Sequence, residues 1–255
     1  MSSVECTEIA QKPVSKPPRT WKLFGTTFWG GLAFSAMSLA QVFALIGVLG
    51  VFTDLDLSEE GLKAIGQHGG TVAFSVLAGL PAGLAVLWIA IRLARRSFAG
   101  YLALRWPSWR QLGIALAASA VLLILLDVAA YLCGYPLAPE FSLTSMRTAR
   151  ESGLIWLVLA GFCFAAPIGE EFIFRGFMYR GWSVTFLRPA GAIVLTAALF
   201  AVIHVQYEWF YVIGIFAIGL LFGTLRAWSN STWLTVITHA FYNLTASLQA
   251  LWFVS

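Results

Sequence analysis

Charge is the scarcest commodity in this sequence. Of its 255 residues only 11% are Asp, Glu, Lys or Arg, while 59% are hydrophobic, and the mean hydropathy is +0.81. Soluble domains carry about 25% charged residues, so an ordinary soluble globular protein and a disordered one are both excluded. Cysteine is scarce too: Cys6, Cys133 and Cys163 form no C-x-x-C pair, which excludes a zinc knuckle or a thiol redox motif. Cys133 and Cys163 lie in or beside apolar runs and read as packing residues. The net charge of +4 is scattered between apolar runs rather than gathered on a Lys/Arg face, which argues against a nucleic-acid partner. No internal repeat of the kind that marks many transporters is present. What the chain has in quantity is tryptophan, 11 residues, and long apolar runs.

Residues 1–22 are polar and rich in Pro and Lys and are expected to form a disordered cytosolic tail. The first apolar run comes too late and is too long for a signal peptide. Seven apolar stretches follow, at about 23–52, 71–94, 111–133, 153–182, 189–206, 209–226 and 232–254, each of a length that suits a membrane-spanning helix. They lack the alternation of barrel strands, and helices satisfy their own backbone in lipid. The expected fold is all-α, a polytopic transmembrane bundle of about seven to eight helices. An eighth arises if the fourth run breaks near Pro167.

The basic residues choose an orientation. With the N-terminus inside, the inner side holds Lys12, Lys16, Arg19, Lys22, Arg92, Arg95, Arg96, Arg105, Arg110, Arg180, Arg188 and Arg226, and the outer side only Lys63, Arg147 and Arg150 among several acids. Trp21, Trp106, Trp109, Trp182, Tyr207, Trp209, Trp228 and Trp252 stand at run ends and are expected to form an interfacial belt. Gly214, Gly219 and Gly223 in the sixth run suggest close helix packing.

Ionisable groups inside spans cost at least a few kcal/mol and are functional candidates by default. Here they are Asp127, Glu170, Glu171, Arg175, His204 and His239, with the amide of Asn243 beside the last; all but Asp127 fall in the last 90 residues. Glu171 and Arg175 are four apart, so they face each other and neutralise. Glu170 is turned by about 100° and has no cation of its own. The pattern thus gives one tied carboxylate and one free one. His204 follows Phe200 by one turn. His239 and Asn243 share a helical face. Each feature alone has a structural reading: a charge cluster at a helix end, a core histidine, an interhelical hydrogen-bond pair. Depth favours a shared site. Counted from the inner helix ends, Glu170 lies about 18 Å in, His204 about 24 Å, and His239 and Asn243 about 12 and 18 Å, which ordinary tilt brings together near the bilayer middle. Asp127, in the third run, is expected to be structural, bonding across helices or facing a cavity.

Three motifs carry a resemblance. E-E-x-x-x-R stands at Glu170–Arg175, F-x-x-x-H at Phe200–His204 and H-x-x-x-N at His239–Asn243, complete, in order, and each on its own apolar run. Together they resemble the membrane-embedded CAAX-protease and bacteriocin-processing family (CPBP, or ABI). The resemblance covers about residues 150–250, so the chain divides into a tail (1–22), N-terminal membrane helices (23–150) and a catalytic helix core (151–255). It implies a glutamic-type intramembrane endopeptidase, similar to the type 2 CAAX prenyl proteases, with an active-site cavity inside the membrane. Glu170 and His204 would activate a water, His239 and Asn243 would form the oxyanion hole, and Glu171 and Arg175 would support them. The partner implied is a membrane-associated peptide or protein in the lipid bilayer, prenylated or of bacteriocin type. The text EEFIFRGFMYRGW looks bacterial, which points to the cell (inner) membrane. No cofactor or metal is expected. One Glu and two His can bind zinc, but there is no H-E-x-x-H, so zinc is the less favoured chemistry. Two other functions compete: a non-proteolytic immunity or scaffold protein of the same family, and an ion-coupled transporter using Glu170 and Asp127.

Overall fold

The computed structural model describes residues 17–52 and 58–255. Among them every regular element is helical: α1 (Leu23–Phe52), α2 (Glu59–Gln67), α3 (Gly69–Leu93), α4 (Phe98–Leu102), α5 (Trp109–Cys133), α6 (Glu140–Glu151), α7 (Ile155–Ser183), α8 (Arg188–Val202), α9 (Trp209–Ser229) and α10 (Thr232–Phe253). The expected helical bundle is therefore found. Most of the disordered tail expected at 1–22, and with it Cys6, Lys12 and Lys16, lies outside the described residues. The end of that stretch is held in place: Arg19 N–H donates to Ala94 O at 3.0 Å, and the Trp21 indole donates to Ala90 O at 2.9 Å.

Five segments are long and apolar enough to cross a membrane: Leu23–Val48 of α1, α3, α5, α7 and α9, as in an integral membrane protein. The other two long helices depart from this for different reasons. α8 has 15 residues, a rise of about 22 Å against a hydrocarbon core of about 30 Å. It ends at Val202, so His204 stands just past its last turn. α10 has 22 residues but spends Thr235, Thr238 and His239 on buried positions, and its mean apolarity drops accordingly. Ser108 and Gln111 start α5 with a reciprocal capping box, and Gly134 at φ +75° ends it, where a side chain would be strained.

The fourth apolar run is a single helix, so the eighth span is not formed. In place of a break near Pro167, α7 widens twice into π turns, Gly161–Ala165 and Phe172–Met178. Pro167 has no N–H and would collide with the carbonyl one turn back; opening the helix just before it relieves both problems. The second half of α7 is the centre of the protein. Residues 171–179 are all buried, and Phe174, Phe177 and Met178 pack with Leu87 and Ile91 of α3 and Tyr101 and Leu102 of α4.

Two ends of the bundle differ in charge. At one, Arg180 donates to the Gly100 and Tyr101 carbonyls, Thr232 N–H to Ala103 O, and the Ser231 hydroxyl to Arg105 O. At the other, Gly69 N–H donates to Thr148, Tyr211 to Pro136 O and Arg150 to Val254 O. Among the described residues the first end is basic without an acid, whereas Glu59, Glu60, Glu140, Glu151 and Glu208 stand towards the second. Trp106, Trp109, Trp209, Trp228 and Trp252 are at least half exposed, as an interfacial belt requires. Trp182 is a correction to that belt: it is 2% exposed and its indole donates to Thr27 on α1. Tyr207 is another, since it lines an internal cavity.

The glycine spacing in α9 does bring helices close. A Cβ on Gly219 would stand 3.0 Å from the Ala197 Cα of α8. Gly219→Val is expected to cost about 1–3 kcal/mol by overpacking, measurable as a lowered Tm in detergent. Loss should extend to the site, because the Gly219 carbonyl is a ligand of Arg175.

Candidate active site

Glu171 and Arg175 are fully buried and form the ion pair their spacing predicts, Arg175 NH1 to Glu171 Oε1 at 2.9 Å. Arg175 NH2 donates to Gly219 O at 3.1 Å. Its guanidinium lies 4.5 Å from the centroid of Phe200 and 5.4 Å from that of Phe222, a cation–π cage that partly replaces water. The π turn has a use here. Tyr179 N–H reaches five residues back to Phe174 O, and the Arg175 carbonyl accepts from Arg226 Nε at 3.1 Å.

The tied carboxylate also holds a histidine. His239 Nδ1 is 3.1 Å from Glu171 Oε1. An ionised carboxylate only accepts, so Nδ1 carries the proton. Nε2 is then the working nitrogen, and it stands 3.9 Å from Glu170 Oε2. His204 is arranged the same way by a different device. It follows the last turn of α8, where carbonyls lack helical partners, and its Nδ1 donates to Phe200 O at 2.6 Å. Its Nε2 is therefore the free acceptor. Phe200 meets both imidazoles edge-on, His204 at 4.8 Å and His239 at 5.6 Å between centroids.

Asn243 is oriented by Pro167. Ala166 N–H is committed to Gly161 O, five residues back, and Pro167 has no N–H. The Phe162 carbonyl is left over, and Asn243 Nδ2 donates to it at 2.7 Å. A carbonyl only accepts, so the amide nitrogen is assigned, and its second N–H remains available.

Glu170, His204, His239 and Asn243 line one cavity of about 170 Å³, with Ser142, Gln206 and Tyr207. Glu171 and Arg175 stand behind it. Glu170 Oε2 is buried and has no hydrogen-bond partner among the described residues. Its 3.9 Å separation from His239 Nε2 is too long for a direct bond, yet a water beside them can touch both. A second, mostly apolar cavity of about 180 Å³ meets the first at His204, Tyr207, His239 and Asn243 and runs between Leu123, Leu126 and Ile218. Asp127 is on its wall and accepts from Gln249 Nε2 at 3.2 Å. It thus does both things expected of it, bonding across helices and facing a cavity.

Sequence reasoning overlooked Phe222, which encloses Arg175, and Phe162, whose carbonyl holds Asn243. Nothing marks Phe222 among 20 phenylalanines. Phe162 was open to inference, since it sits five residues before a proline. Glu170 with two imidazole Nε2 atoms is a donor set that zinc accepts. Among the described residues, however, no group of three His, Cys, Asp or Glu side chains is placed to hold a metal ion.

No curated protein and no solved structure matches the chain. Residues 152–245, the stretch that carries Glu170, Glu171, Arg175, His204, His239 and Asn243, match the Rce1-like family model, type II CAAX prenyl endopeptidase, in agreement with the family that the three motifs resemble.

Proposed function

We propose that this protein is an intramembrane endopeptidase that hydrolyses a peptide bond of a membrane-associated substrate with a water activated by Glu170 and His204. The observation that carries the reading is the buried, unpartnered Glu170 Oε2 facing a cavity shared with two imidazoles and an amide. A buried polar atom without a partner is costly, and such an atom is tolerated where chemistry uses it.

Peptide hydrolysis needs a base for water, donors for the oxyanion and a proton for the leaving amine. Glu170 takes a proton as the water oxygen attacks the carbonyl carbon. The His204 Nε2 lone pair accepts the water's other hydrogen and fixes its direction. The oxyanion is held by the second Asn243 N–H and by His239. The tether to Glu171 refines the role of His239: with Nδ1 donating to the carboxylate at 3.1 Å, Nε2 is aimed at the cavity and donates to the oxyanion when it carries a proton. When the tetrahedral intermediate collapses, Glu170 returns its proton to the amine. No cofactor is required. The apolar cavity beside the site would take an apolar substrate group, a prenyl chain or apolar side chains of a bacteriocin-type peptide. The charge asymmetry of the two ends supports a cytoplasmic N-terminus, in a bacterial cell membrane.

The test is cleavage of a library of membrane-anchored peptides, with and without prenyl groups, by purified full-length protein in liposomes. Cleavage unaffected by a chelator supports this mechanism, while chelator-sensitive cleavage restored by zinc would make Glu170, His204 and His239 metal ligands. A folded protein that confers bacteriocin immunity even as Glu170→Gln would shift the function to a non-proteolytic one. Asn243→Ala is expected to lower kcat by about 100–1,000-fold, the usual effect of losing an oxyanion donor, with little change in KM.

A further inference from the structure

A second polar pocket, at the basic end of the bundle, is independent of the peptidase reading. It encloses about 560 Å³ between the ends of α3, α7 and α9 and is lined by Arg96, Arg105, Arg180 and Arg226. No carboxylate among the described residues lines it. Arg226 is the telling member. It is 3% exposed, and its partners are all neutral: the Arg175 carbonyl at Nε, the Asn230 amide oxygen at NH1 and the Tyr179 ring. Its NH2 has no partner among the described residues. Arg180 likewise has neutral partners, the carbonyls of Gly100 and Tyr101 and the Tyr101 ring, and Arg96 and Arg105 make no side-chain hydrogen bond among the described residues. A buried cation is ordinarily paired with an anion, and four guanidiniums around one space repel one another unless an anion enters. Guanidinium forks match phosphate oxygens bidentately.

We propose that this pocket is a phosphate-binding site. Its place favours the headgroup of an anionic phospholipid: it lies at the end of the spans, beside the exposed indoles of Trp106 and Trp228, which mark headgroup level, and basic pockets between helices at that level suit such lipids.

The experiment is thermal unfolding of the full chain in neutral detergent, titrated with dioctanoyl phosphatidylglycerol, with dioctanoyl phosphatidylcholine, or with inorganic phosphate. Arg226 also braces α7, so the variant is Arg96→Gln/Arg105→Gln, which removes two exposed pocket charges that bond nothing. Lys63→Gln/Arg147→Gln, at the opposite end, is its charge-matched control. Phosphatidylglycerol is expected to raise the Tm of wild type and control saturably, phosphatidylcholine to leave it unchanged, and the pocket variant to need at least tenfold more phosphatidylglycerol. A saturable rise with inorganic phosphate at the same concentrations would identify a soluble phosphate as the ligand of the same site. Equal responses in pocket variant and control, or no response to either phosphate source, would overturn the proposal.

Discussion

Glu170→Gln should abolish cleavage while leaving the protein at least as stable as wild type. The replacement is isosteric and removes the group proposed to take a proton from water and return it to the amine. General acid–base catalysis contributes about 100–10,000-fold, so a fall of about 1,000-fold in kcat is expected. Stability should not follow. Glu170 Oε2 has no partner to lose among the described residues, and an amide is cheaper to bury than a carboxylate. The Tm in detergent is therefore expected to stay level or rise, the usual relation between a functional site and stability. Cleavage near the wild-type rate would remove Glu170 from the mechanism. A marked fall in Tm would instead make it a structural residue.

The opposite pattern is expected next door. Glu171→Leu or Arg175→Met alone strands one charge in a site with no access to water. Breaking a buried pair in this way costs about 3–5 kcal/mol, enough to unfold a marginal membrane protein, and size-exclusion chromatography should show aggregation. The double variant Glu171→Leu/Arg175→Met removes both charges together. Replacing a buried pair by apolar groups is often neutral, so a folded, monodisperse protein should return. Its activity should not return in full, because His239 loses the carboxylate that fixes its tautomer and direction. Loss of such an orienting partner typically costs about 10–100-fold. A double variant as active as wild type would show that the tether to His239 is only structural. One that stays unfolded would show that the hydrogen bond from Arg175 to Gly219, which joins α7 to α9, matters more to folding than the ion pair inside α7.

How much of this was legible beforehand depends on the range of the interaction. Membrane residence and helical class follow from composition and run length, because lipid leaves a backbone no other partner. The Glu171–Arg175 pair follows from a spacing of four, and the odd carboxylate at Glu170 from the angle between neighbours on a helix. Those are local properties, and the chain carries them wherever it folds. Trp182 shows the limit: an indole at a run end looks like an interfacial anchor, and only the approach of α1 makes it a core residue.

The working nitrogens of the two histidines are not local properties. His239 acquires its tautomer from Glu171, 68 residues away, and His204 acquires its own from a carbonyl that is free only because α8 stops early. Asn243 is aimed by a carbonyl that Pro167 leaves without a donor, across 81 residues. Each of these depends on which helix lies against which, and spacing along one helix holds no information about its neighbour. The residue types and their approximate depth are written in the chain. The protons they hold, and the cavity they share, arise only when α7, α8, α9 and α10 pack, because a hydrogen bond is made over about 3 Å and its partners here come from different helices.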